Sequence, residues 1–145
     1  WLRPKYDIRT LVDLSDEEVV QGPFAQVVRY VGKRQDTLLG SGAYDFYKIC
    51  LQDHAILEAL LQEEALQLLP FTLYIVTHEL VHIVRFSKFL QSFDASAEEK
   101  LAEEARVHRE TKVILAKIQL DGLEAVLHFY STWQKPLEDL QNPAG

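Results

Sequence analysis

AYDFYKICLQDHAILEALLQEEALQLL, running from Ala43 to Leu69, is the stretch whose reading decides the fold. It holds neither Gly nor Pro, and its apolar residues recur at spacings of three and four, so it predicts one long helix ended by Pro70. Tyr47, Leu51, His54, Glu58, Leu61, Ala65 and Leu68 then share one stripe, apolar except for His54 and Glu58. A His and a Glu in a core stripe are costly unless something satisfies them. The pair therefore reads either as hydrogen-bonded structure or as the outer shell or second site of a metal centre.

Working outward toward the N-terminus, Ser15-Asp16-Glu17-Glu18 is a capping box that opens a short helix ending near Gly22. Phe24 to Val31 has apolar residues at 24, 27, 28 and 31, which predicts a helix with Gly32 as its stop. A strand is the rival reading there, because Val27, Val28, Tyr30 and Val31 are good β formers. Gly32 to Gly42 reads as a loop.

Toward the C-terminus, a second long helix is expected from about Phe71 to Gln91, followed by a connection at Asp94 to Ala97. Ser96-Ala97-Glu98-Glu99 is another capping box, opening a third long helix from Ala97 to about Leu120. Asp121-Gly122 punctuates, and a shorter helix follows over Leu123 to Leu140, ended or bent at Pro136, with a frayed tail at Gln141 to Gly145. The expected fold is all-α. It is a single domain, 1–145, an antiparallel bundle of three long helices with shorter N- and C-terminal ones and the central helix at Phe71 to Gln91. No internal repeat is visible.

A chain of 145 residues, 48% hydrophobic and 26% charged, is long enough to bury one real core. The net charge is −7 and the basic residues are scattered, so neither nucleic acid nor an acidic membrane is an expected partner. The longest apolar run is interrupted by His78, Glu79 and His82, which excludes a helical span there. The single Cys50 has no internal disulfide partner and sits in an apolar stretch. With no secretory signal pattern, a cytoplasmic protein is expected. The sequence starts at Trp1 and contains no Met, as expected of a trimmed piece or of one whose modified methionines are omitted.

The chemistry concentrates in His78-Glu79-Leu80-Val81-His82. On a helix the i,i+4 spacing puts both imidazoles on one face, close enough to share one Zn²⁺, with a carboxylate beside the first. Phe71 to Thr77 before it and Ile83 to Phe86 after it are apolar nearly all round, as in a buried helix. Buried ionisable groups need a partner, and a metal ion satisfies two His and a Glu together.

Three further His/Glu pairs stand one turn apart: His54 with Glu58, Glu104 with His108, and Glu124 with His128. Glu104 and His108 are flanked by Leu101, Ala105 and Leu115. Glu103 shares a face with Val107 and Ile114, so both glutamates stay candidates, with Glu104 ahead. Glu124 and His128 lie at the edge of their helix's apolar stripe, as an exposed ion pair does.

Val76 to His82 resembles the active-site helix of zincin metallopeptidases. The resemblance covers about Phe71 to His108, and the gluzincin branch supplies a third, glutamate ligand from the next helix about twenty residues on. It implies His78 and His82 as zinc ligands, Glu79 as general base and Glu104 as third ligand, with Glu103 also within range. His108 would be a fourth ligand, an outer-shell group or a transition-state donor, and Arg85 a contact for a substrate carboxylate or carbonyl, or else an ordinary salt bridge. The implied activity is zinc-dependent hydrolysis of a peptide or small amide. Zincins also carry a β-sheet, whereas the residues before this motif helix read as helical.

Two other readings are open. Glu79-Leu80-Val81-His82 is also the E-x-x-H unit of helical-bundle carboxylate sites, which hold one or two Fe, Mn or Zn ions for redox chemistry, storage or sensing. A second E-x-x-H is missing, leaving His54, Glu58, Glu104 and His108 to furnish a mixed second site. Full coordination by His78, His82, Glu104 and His108 would instead make a closed structural site.

Overall fold

A computed structural model describes residues 5–33, 43–88 and 94–141. Among them run three strands and four α-helices: β1 (Lys5–Arg9), β2 (Ala25–Lys33), β3 (Ala43–Leu51), α1 (Asp53–Gln62), α2 (Leu68–Ser87), α3 (Ala97–Leu115) and α4 (Leu123–Gln141). The chain divides into two compact units, Trp1–Glu58 and Ala59–Gly145.

The first unit overturns the all-α expectation, because it is built on a three-stranded mixed sheet of order β1-β3-β2. β3 is central, parallel to β1 and antiparallel to β2, with Ile49 opposite both Ile8 and Val27. The predicted helix over 43–69 is instead a strand, a one-residue junction, a ten-residue helix ending at Gln62, a non-helical 63–67 and the first two residues of α2. Spacings of three and four cannot separate these cases when a buried strand runs straight into an amphipathic helix. What tips residues 43–51 into the sheet is their aromatic and β-branched content, and Ile49 and Cys50 are fully buried in the central strand.

Gln52 makes the junction. Fully buried, it donates through Nε2 to the Glu18 and Cys50 carbonyls at 2.9 and 3.1 Å and accepts at Oε1 from Val20 N–H at 2.9 Å. Its backbone N–H donates to Phe24 O at 2.8 Å, while its own carbonyl accepts from the Ala55 and Ile56 amides. One residue thus ends the ladder and starts α1.

Phe24 to Val31, predicted helical, instead contributes β2, as its Val and Tyr content allowed, and Gly32 lies within that strand opposite Tyr44. Most of the expected loop, 34–42, falls outside the described residues. The Ser15 capping box forms, with Ser15 N–H donating to Glu18 Oε1 at 2.8 Å, but it caps a single 3-10 turn, Asp16–Glu18, and not a helix reaching Gly22.

In the second unit α2 packs against α3 and α4, and α3 against α4, around Phe71, Tyr74, Ile83, Val107, Leu115 and Val126. Pro70 does not end a helix. It is the third residue of α2, where its missing N–H costs nothing, and Gln67 is the N-cap. Gly122 enters α4 at φ +88°, and a Cβ there would sit 3.0 Å from Pro70 Cγ, so the position needs glycine. Ser96 caps α3 as expected, accepting from Glu99 N–H at 3.2 Å. α3 ends at Leu115 and not near Leu120, and α4 runs through Pro136 to Gln141. The expected end of the motif helix at Gln91 and the tail 142–145 lie outside the described residues.

Candidate metal centre

α2 carries His78 and His82 on one buried face, 8% and 7% exposed, as their i,i+4 spacing requires. α3 brings Glu104 against them. One carboxylate oxygen lies 2.9 Å from His82 Nε2, the other 3.1 Å from His78 Nε2, and the two Nε2 atoms are 3.2 Å apart. Among the described residues this is the one group of His, Cys, Asp or Glu whose ligating atoms converge, all within 4.8 Å.

Protons alone satisfy this cluster poorly. If both imidazoles donate from Nε2 to Glu104, two N–H groups face each other at 3.2 Å. If one donates to the other instead, only one is left for the carboxylate. His78 Nδ1 is moreover buried with no hydrogen-bond partner, a cost of about 1–3 kcal/mol. A cation between the three removes the clash of the two Nε2 protons, while His78 Nδ1 then carries that ring's proton without an acceptor. Zn–N bonds of about 2.0–2.1 Å at a tetrahedral angle put two ligand nitrogens about 3.3–3.4 Å apart, close to the separation seen.

Glu104 is the cluster's open side, with its side chain 41% exposed. Desolvation opposes its charge, but hydrogen bonds from His78 and His82 outweigh it and hold the carboxyl well below the usual carboxylate range. Glu79 is buried beside His78 and contributes no atom to the converging set. Burial pushes its carboxyl up, partly countered by His78 and His82, while Glu104 pushes it further up.

His108, one turn after Glu104, lies beside the cluster. Its ring centroid is 4.3 Å from that of His78, its Nε2 is 3.7 Å from Glu104 Oε2, and its Nδ1 is 2.7 Å from the Tyr74 hydroxyl. Burial, reinforced by His78, pushes the imidazole down to about 3 against the pull of Glu104, so the ring is neutral. Tyr74 was not singled out from the sequence. The available signal was its position four residues before His78, on the same helical face.

Glu103 turns away from the cluster and takes both Nε and Nη2 of Arg85, the latter at 2.8 Å. Arg85 is 7% exposed and also reaches the exposed Glu110 at 3.5 Å, so it is engaged by protein carboxylates. His54 belongs to the first unit, where its Nε2 donates to Val20 O at 3.0 Å, and Glu58 is exposed. Glu124 and His128 are both exposed.

Compared with known proteins, the chain matches no family model, no curated protein and no solved structure. Among the described residues no helix is long and apolar enough to cross a membrane.

Proposed function

We propose that the protein binds one zinc ion through His78 Nε2, His82 Nε2 and the Glu104 carboxylate, and acts as a metal-dependent hydrolase on a peptide or small amide. The convergence of those three groups carries the reading. Three protein ligands with a solvent-reachable side are the composition of a catalytic zinc site, and His108, hydrogen-bonded to Tyr74, does not close it. When bound, the ion would supply a Lewis acid that lowers the pKa of water to about 7 and polarises a carbonyl oxygen.

The chain's own residues supply the rest. Glu79, buried next to His78, accepts a proton from the attacking water and returns it to the leaving amine. Burial raises its carboxyl, so it holds a proton more readily than an ordinary carboxylate, which suits that exchange. Buried Cys50, in no disulfide among the described residues, fits a reducing compartment such as the cytoplasm.

Metal analysis by inductively coupled plasma mass spectrometry tests the proposal. One zinc per chain is expected in the wild type, lost in His78→Ala and kept in Glu79→Gln, with hydrolysis of a peptide library abolished in both variants. No bound metal in the wild type sinks the proposal. Iron or manganese approaching two per chain, reduced in Glu79→Gln, would replace it with a carboxylate-bridged site.

A further inference from the structure

Tyr74 takes no part in the chemistry above, yet it is fully buried one turn before His78, with its hydroxyl 2.7 Å from His108 Nδ1. Stacking on Tyr130, with centroids 3.9 Å and planes 17° apart, fixes the ring and therefore the place of its hydroxyl. Among the described residues that hydroxyl has no other hydrogen-bond partner.

The contact can be wired in two ways. If His108 donated from Nδ1 to the tyrosine oxygen, the phenolic proton would be buried with no acceptor, at the full desolvation cost of an unmet donor. If Tyr74 donates to Nδ1, that cost disappears and the neutral imidazole carries its proton on Nε2. Burial also holds the phenol well above its ordinary pKa, so Tyr74 keeps the proton it donates.

Nε2 is the nitrogen on the cluster's side. At 3.7 Å from Glu104 Oε2 it is too far for a direct hydrogen bond, so the N–H is not used up there. A metal ligand needs a bare nitrogen lone pair, and this wiring places the only bare nitrogen of His108 on the Tyr74 side.

We infer that Tyr74 locks His108 as its Nε2–H tautomer, so that His108 faces His78, His82 and Glu104 as a hydrogen-bond donor and not as a fourth ligand. Tyr74 is thus a positioning residue: it keeps a third histidine beside the cluster without letting it close the site. The tautomer stands on the Tyr74 geometry alone, while exclusion of His108 from the ion's coordination shell rests on the proposed metal site.

Long-range ¹H–¹⁵N correlation of the full chain, labelled at histidine nitrogens, reads each ring nitrogen as bare or protonated, and His108→Asn assigns the His108 signals. In the metal-free wild type at neutral pH, His108 is expected bare at Nδ1 and protonated at Nε2. Tyr74→Phe keeps the stacked ring, removes only the hydroxyl, and should yield a mixture of tautomers. On zinc addition, the His78 and His82 signals should move while His108 Nε2 keeps its proton.

His108 protonated at Nδ1 in the metal-free wild type overturns the assignment. A Tyr74→Phe spectrum identical to wild type overturns the role of Tyr74. Loss of the Nε2 proton on zinc addition overturns the exclusion of His108. If zinc moved neither His78 nor His82, the metal reading and the exclusion would fall together, and the metal-free spectrum would still decide the tautomer.

Discussion

Two glutamates, one in each unit, are each held by two or more polar groups, and they end differently. Glu18 in the first unit is 5% exposed at its side chain and accepts from Tyr30 O–H, from Ser15 N–H at 2.8 Å and from Lys48 Nζ at 2.9 Å. Every donor there owns a proton and the Lys48 charge balances the carboxylate. The Tyr30 bond, with those of Ser15 and Lys48, holds Glu18 down to about 2, and the same bond raises Tyr30 to about 12. Glu104 in the second unit faces two imidazole nitrogens 3.2 Å from each other, one of them on a ring whose other nitrogen is unpartnered. The first arrangement is complete and builds structure. The second sets two imidazole nitrogens against each other beside one carboxylate, an arrangement that protons satisfy poorly and that supports the proposed metal reading.

The sharpest way to break this contrast lies within α3. Glu104→Gln should weaken zinc binding by more than the roughly 10–100-fold typical of losing an outer-shell partner, measured by competition with a chromophoric chelator. Glu103→Gln should leave zinc binding within a few-fold of wild type, because Glu103 is spent on Arg85. Equal losses in the two variants would remove the distinction between neighbouring glutamates.

A smaller but still large effect is expected at Arg85. Arg85→Met leaves Glu103 without its buried partner and should destabilise the second unit by about 3–5 kcal/mol in urea unfolding. Adding Glu103→Met should recover most of that loss, as for a pair whose replacement by apolar side chains is nearly neutral. Failure of the double variant to recover would mean that the pair does more than balance itself.

The smallest effect belongs to Glu18 and depends on pH. Its folded pKa of about 2 lies below its ordinary value, so its contribution is fully present above about 4.5 and fades as pH falls toward 2. Urea midpoints of the wild type should drop between pH 5 and pH 3, and part of that drop should vanish in Glu18→Gln. An unchanged pH slope in the variant would show that Glu18 is not held in the closed cluster.

Much of the candidate site was legible in the sequence, and less of the fold. His78 and His82 share a face because four residues advance a helix by slightly more than one turn. The Ser96 cap is likewise chain-local and was legible, and so was a break at Gly122, although α3 already ends at Leu115 and Gly122 leads into α4. The sheet was not. Residues 43–51 carry their strand signal inside a run whose spacing also suits a helix, and only pairing with Lys5–Arg9 and Ala25–Lys33 resolves it. Pro70 misled for a related reason: a proline ends a helix from the inside and begins one from the first turn, and the sequence does not say which turn it occupies.

By itself, then, the sequence determined which side chains one helical turn brings together: His78 with His82, Glu79 beside them, and Glu104 with His108. Helical periodicity makes those neighbours whatever the chain packs against. Only the tertiary structure decided which glutamate faces the histidines and what His108 does there. Adjacent helical residues point about 100° apart, so the rotation of α3 against α2 selects Glu104 for the cluster and Glu103 for Arg85. The Tyr74 hydroxyl, carried by another helix, settles which His108 nitrogen is bare. Such choices depend on distances between elements, which no spacing within a single element contains.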